Sequence, residues 1–413
     1  MVYRQKRCFG FMAIVLTALI FTLTIGTQQA SAVDVVVRKQ AADANPPLYI
    51  SSLDMSTRGK KLMQSTLHRC GWFDIVSSSQ EDAFSLRALS KETASGKTLK
   101  IRLKTAGNKT FSFTIRAKGV DNRKLVYRAV DTVIKKVFNK PGPCESRIAY
   151  VKAQNGRKEI KTCNFDGSEV RQLTYNRSIS TEPSWGRNGQ YLAYTLYDRN
   201  KMKTVLVNMG HDRQRIVSAS PGLNSGPAIS PGGDYVALSM SRKGSVDLFV
   251  KSLENNQIYR VTSGSGVESS PVWSPGGDRL CFVSDRAGRP HLYITKVNNR
   301  EADRLTGDSA EEVSPDWSEL SNKIVFSTRQ GGRYKIAVLD MTKKNPEKRI
   351  LNTGTGDWES PSWSPDGRHI VCTRSHGGQK KLFMVDTISG KGVPILQGAD
   401  ISLPDWGMIP GNP

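Results

Sequence analysis

The sequence predicts a multidomain chain, a small N-terminal α/β domain followed by a six-bladed β-propeller closed by the C-terminal strand, and three observations carry that prediction. The first is a phrase. Pro361-Ser362-Trp363-Ser364-Pro365-Asp366-Gly367 recurs as Pro183-Ser184-Trp185, Pro227-Ala228-Ile229, Pro271-Val272-Trp273 and Pro315-Asp316-Trp317, with a truncated Pro404-Asp405-Trp406 at the end. The second is spacing, since these prolines stand 44, 44, 44, 46 and 43 residues apart in chain order. Such a period, with short apolar runs between turns, suits one four-stranded blade; helical arrays of similar period need long 3.6-periodic stretches, and the chain has none there. The third is a count. Six second strands are expected, at 147–151, 191–195, 235–239, 279–283, 323–327 and 369–373, against six phrase strands that are offset from them. The first blade lacks a preceding phrase and the chain ends on an unaccompanied one. The last strand is therefore expected to complete the first blade and remove an open sheet edge.

In chain order, residues 1–32 read as a secretory signal. Arg4, Lys6 and Arg7 make a basic start, 9–25 an apolar run, and Ala30-Ser31-Ala32 a small-x-small cleavage site, giving a mature start near Val33. An uncleaved anchor is the alternative, with a run a little short for a span. Cys8 precedes the apolar run and so is no lipoprotein acceptor.

From 33 to 143 the phrase is missing and an α/β domain is expected. Val33, Asp34, Val35, Val36 and Val37 read as a β-branched strand, followed by a second at 48–51. Ser56 caps a helix running to about Arg69, with Met63, Thr66, Leu67 and Cys70 on one face and Gly71 as its stop. A strand at 72–76 and an antiparallel meander at 83–89, 98–105 and 110–117 follow. A last helix after Asp121 carries an apolar stripe from Leu125 and Val126 to Val137 and Phe138.

The propeller is expected over 144–413. The copy at Pro271 shows its grammar: a strand to Ser274, a tight turn at Pro275-Gly276-Gly277-Asp278, strands at 279–284 and 290–296, and a closing edge at 303–306. Five of the 7 tryptophans occupy the third place of the phrase, where one large ring per blade fills the wedge between neighbours rather than forming a ligand cage.

The net charge is +23, and the excess is uneven: residues 33–143 hold 21 Lys and Arg against 9 Asp and Glu. In an exported protein this implies an acidic neighbour such as an anionic cell-wall polymer, lipopolysaccharide or an acidic protein, while the export signal disfavours nucleic acid; a merely soluble basic surface fits the same count. Cys281 and Cys372 read as buried apolar residues, and a hairpin turning at Asn155-Gly156 sets Ile148, not Cys144, opposite Cys163, leaving a Cys144–Cys163 disulfide open. No His/Cys spacing suggests a metal, no Gly-x-Ser-x-Gly elbow is present, and no cofactor or catalytic residue is expected. The remaining candidate is the set of loops before each phrase, which gather at one mouth of the channel. There Glu182, Asn224, Ser225, Gly226, Glu268, Ser269, Ser270, Glu312, Trp358 and Glu359 are expected to form a binding face, with Trp358 and Leu403 reading as exposed apolar contacts; capping and turn roles are the plainer alternative.

The export signal, the α/β domain and the six blades together resemble the TolB family. The resemblance is most specific at Tyr127-Arg128-Ala129, the helix to Phe138, Arg147-Ile148-Ala149-Tyr150-Val151 and Ser284-Asp285-Arg286-Ala287-Gly288-Arg289-Pro290. It implies a monomeric, non-enzymatic periplasmic component of the Tol-Pal cell-envelope system. It further implies a peptidoglycan-associated lipoprotein bound at the mouth and TolA, anchored in the inner membrane, bound through Val33, Asp34, Val35, Val36, Val37 and Arg38, an extended peptide able to add a strand. A glycan-binding or glycan-cleaving propeller that holds cell-wall polymer with its basic charge and Trp358 is the competing expectation.

Overall fold

The computed structural model describes residues 45–408 apart from 94, 95, 108, 118–121, 212, 300, 308, 309, 397 and 399. The expected signal, and the strand and binding peptide expected from Val33 to Arg38, lie outside the described residues. What is described is a β-propeller preceded by an α/β domain.

The first domain is a five-stranded mixed sheet in the order Asp74–Val76, Pro47–Asp54, Phe84–Thr93, Gly96–Lys104, Thr110–Ala117. Pro47–Asp54 runs parallel to both neighbours, and the last three strands form the expected antiparallel meander. Leu99, Ile101 and Leu103 are fully buried while the alternating Lys100, Arg102 and Lys104 are exposed, so one face of the sheet is covered. Helix Asn122–Phe138 does the covering with Leu125, Ala129, Val130, Val133 and Ile134. Helix Thr57–Arg69 packs beside it, its first turn capped by Ser56 Oγ accepting from Gly59 N at 3.2 Å. Gly71, at φ 71°, turns the chain off that helix; a Cβ there would stand 2.5 Å from His369 Nε2 of the propeller.

From Ser146 onward the described residues form strands joined by turns, with no helix among them. Four sheets are simple four-stranded meanders, beginning at Asn224–Ile229, Glu268–Trp273, Glu312–Trp317 and Asp357–Trp363. The remaining sheet has eight strands. One half begins at Ile179–Trp185; the other contains Ser146–Gln154, Arg157–Asn164 and Arg171–Gln172, and a single parallel pair, Lys158 with Ile179, joins the halves. Ile401–Met408 lies antiparallel on Ser146–Gln154, with Ser402 opposite Val151 and Trp406 opposite Ile148. The leading strands touch in sequence, from Ile179–Trp185 through each meander to Ile401–Met408, which in turn touches Ile179–Trp185. Trp185, Trp273, Trp317, Trp363, Trp406 and Ile229 are all buried between sheets, as a wedge-filling role requires.

The two domains meet over a polar contact. Trp72 Nε1 donates to Asp366 Oδ2 at 3.1 Å, His369 Nδ1 lies 2.6 Å from the same oxygen, and the Arg368 guanidinium sits 4.8 Å over the Trp72 ring. Burial pushes the Asp366 carboxyl up, but His369 and the backbone donors of His369 and Arg368 outweigh it and hold it below the usual range. On the connecting segment, Asp131 accepts from Cys144 N at 3.0 Å and Glu145 N at 2.8 Å. All five described cysteines are buried and free, and Ile148 stands opposite Cys163 in the hairpin.

Candidate functional site

The leading strand of every sheet is bent at one place. Register breaks between Thr181 and Ser184, Ser225 and Ala228, Ser269 and Val272, Val313 and Asp316, Glu359 and Ser362, and Ser402 and Asp405, each break spanning the residue before the phrase proline. Those residues, Glu182, Gly226, Ser270, Ser314, Ser360 and Leu403, all have φ between 49° and 57°. A left-handed residue before proline is doubly restricted, by its own Cβ and by the proline ring. Only a tightly determined bulge holds it, so the mouth is a rigid collar rather than a set of free loops. All six line one central cavity of about 560 Å³ that runs along the leading strands.

Within the cavity wall, the position between proline and tryptophan carries inter-sheet bonds. Asp316 Oδ2 accepts from Trp363 N at 2.6 Å, Asp405 Oδ2 accepts from Trp185 N at 2.6 Å, and Ser362 Oγ donates to Asp405 Oδ1 at 3.0 Å while accepting from Trp406 N at 3.1 Å. Burial, with Asp316 nearby, pushes the Asp405 carboxyl up to about 7. At the end away from the collar, Arg187 Nε and Glu319 Oε2 pair at 2.7 Å between sheets three places apart in the order of contact. The Glu319 side chain keeps 39% of its surface accessible, yet the enclosing walls push its carboxyl up to about 7 against the pull of Arg187. Pro141 of the connecting segment also lines the cavity.

The residues expected at the mouth divide into two groups. Glu182 bridges sheets, accepting from Thr195 Oγ1 at 2.7 Å and from Gly226 N at 2.8 Å; Gly226, Ser270, Ser225 and Ser269 remain partly accessible on the collar. Asn224, Glu268 and Glu312 stand behind it, fully buried. Asn224 Nδ2 donates to the carbonyls of Met202, Ser220 and Gly222, Glu268 pairs with Arg286, and Glu312 pairs with Lys348 at 3.1 Å and His291 at 3.4 Å. Glu359 is partly buried beside Ser375 Oγ at 3.3 Å and Lys380 at 3.9 Å.

Trp358 corrects an expectation. It is 2% accessible, packed edge-on to Phe383 at 5.2 Å under the Arg374 guanidinium, with its Nε1 donating to Thr355 O at 3.2 Å, and so offers no exposed platform. Leu403 is half-buried at the collar rather than exposed. Sequence reasoning missed Asp316, Ser362 and Asp405; the available signal was a polar middle residue in several copies of an otherwise apolar phrase. Among the described residues no cluster of three or more His, Cys, Asp or Glu could hold a metal, and no helix is long and apolar enough to cross a membrane.

Comparison with known proteins adds the following. Residues 134–409, two thirds of the chain, match the family model described as the TolB beta propeller domain. A Tol-Pal system protein TolB from Desulfosudis oleivorans is 36% identical over 109 residues, 26% of this chain and 25% of that protein. A second, from Legionella pneumophila, is 25% identical over 226 residues, 49% of this chain and 54% of that protein. The chain thus spans a quarter to about half the length of these two curated relatives. The crystal structure of TolB from Acinetobacter baumannii superimposes with a TM-score of 0.81 over 89% of this chain and 98% of that one, at 22% identity, which is a likeness of fold.

Proposed function

Because the chain belongs to the TolB beta propeller family, we propose that it is a non-enzymatic periplasmic adaptor of a Tol-Pal cell-envelope system. In this reading the signal is removed near Ala32 and Val33, the domains divide near 143, and six blades form a ring completed by the carboxyl-terminal strand; the pairing of Ile401–Met408 on Ser146–Gln154 supports the last point. A peptidoglycan-associated lipoprotein docks at the mouth on Glu182, Ser225, Gly226, Ser269 and Ser270. Asn224, Glu268 and Glu312 hold that rim from behind. A TolA-like inner-membrane protein takes the peptide from Val33 to Arg38, and the bridge supports outer-membrane integrity and constriction at division.

The observation that carries the reading is the collar of six left-handed residues around one cavity. A mouth set before its partner arrives loses little conformational freedom on docking. The competing glycan reading relied on the basic charge together with Trp358, and a tryptophan 2% accessible offers a polymer no contact, which leaves that reading its charge alone.

Co-purification of the mature chain with the lipoprotein from envelope extracts tests the proposal. Capture should be lost when Ser225→Arg and Ser269→Arg are combined. Capture that survives both arginines refutes the mouth, and retention by protein-free peptidoglycan equal to that by the lipoprotein refutes the adaptor.

A further inference from the structure

We propose that the mouth-side face carries a crown of basic hairpin tips that orients an acidic globular protein onto the collar; the inference rests on the docking reading above and gives the partner's chemistry. Register puts the tip between second and third strands of each sheet at the collar end. Met240 lies opposite Asn224 at the start of one leading strand, for example, and two residues later the tip begins at Arg242, which pairs with Ser245. The six tips, 154–158, 198–203, 241–245, 285–290, 329–333 and 376–381, hold thirteen lysines and arginines and two acids. Turns at the opposite end, 186–190, 231–234, 275–278, 319–322 and 365–368, hold two basic residues and four acids. The tips differ in length and sequence, so the sign of their charge is what they share.

Several of these cations are free for a partner. Arg157, Lys158, Lys243 and Arg333 are exposed and form no salt bridge among the described residues. The tip at Arg157 also borders a pocket of about 380 Å³ lined by Lys152, Lys161, Arg177 and Tyr175, the last 73% accessible. Glu159 is the one acid lining it, and it is engaged by Thr174 Oγ1, Asn176 N and Arg177 N. Basic side chains outnumber the acid in that lining four to one, which suits an incoming carboxylate. A ring concentric with a cavity suits a rounded partner seated on that cavity, whereas a linear polymer is better served by a track. Peripheral charge of this kind acts mainly on the rate and orientation of encounter.

The test compares the mature chain with a variant carrying Arg157→Glu, Lys158→Glu, Lys243→Glu and Arg333→Glu, and with the same four positions changed to Gln as the milder set. Probes are the purified soluble domain of the lipoprotein, poly-L-glutamate and protein-free peptidoglycan. Reversal should slow association with the lipoprotein domain by about tenfold at low salt, change dissociation far less, and release poly-L-glutamate. Unchanged association together with unchanged poly-L-glutamate retention overturns the crown. Retention on peptidoglycan that depends on these four residues assigns the face to a polymer and overturns the protein partner. If the unaltered chain ignores the lipoprotein while its poly-L-glutamate binding needs the tips, the lipoprotein reading fails and the crown stands.

Discussion

At the scale of single residues, the phrase tryptophans were legible because a large ring at one place per period has one economical use, and each is buried where that use requires. Gly407, beside the last of them, shows how close the packing is. A Cβ there would stand 2.4 Å from Cγ of Trp185, so Gly407→Ala should lower stability by about 1–3 kcal/mol, read by urea unfolding. An unchanged midpoint would contradict the packing described. Trp358 was misread because its sequence neighbours are polar; the strand it belongs to starts one residue earlier, at Asp357, and turns the ring toward Phe383 and Cys372. Buried carboxylates were not legible at all, since their partners are remote: Asp405 and Trp185 are 220 residues apart. Asp405 also predicts a pH dependence. Its folded pKa, about 7, lies above the ordinary 3.8, so the folded state holds the proton more tightly than the unfolded chain. The stability this contributes is complete below about pH 4 and is lost as pH rises through about 7. The melting temperature should therefore fall between about pH 5 and about pH 8, and Asp405→Asn, which keeps an acceptor for Trp185 N, should flatten that fall. An identical slope in the variant would remove Asp405 from the account.

At the scale of elements, both helices and the meander were readable from periodicity, capping and glycine stops, with edges displaced by a few residues. Helix Thr57–Arg69 begins after its cap at Ser56, as its sequence dictates. The leading strands proved longer than the phrase, because the residues before each proline pair across the bulge instead of forming a loop. That is why several expected rim residues lie behind the collar. The contact between domains left no local trace, because Trp72 and Asp366 are 294 positions apart. Asp366→Ala would strip the partner from Trp72 Nε1, Arg368 N, His369 N and His369 Nδ1 at once. Loss of such a buried acceptor should cost about 3–5 kcal/mol and expose the 139–143 segment to limited proteolysis. Proteolysis no faster than in the unaltered chain would show that the contact does not hold the domains together.

For the molecule as a whole, the repeat period made the β-propeller legible, because each repeat needs the same local pattern and tertiary context cannot override a pattern written so many times. A chain ending at Asp400 tests the role of the final strand. It leaves Ser146–Gln154 without its neighbour and should elute as aggregate in size-exclusion chromatography; a folded monomer would show that Ile401–Met408 is dispensable. The pairing of Arg187 with Glu319 has a different meaning at this scale. It lies at the end of the central cavity away from the collar. An ion pair between sheets three places apart is a cross-tie, linking two sides of the ring directly and not through the sheets that lie between them.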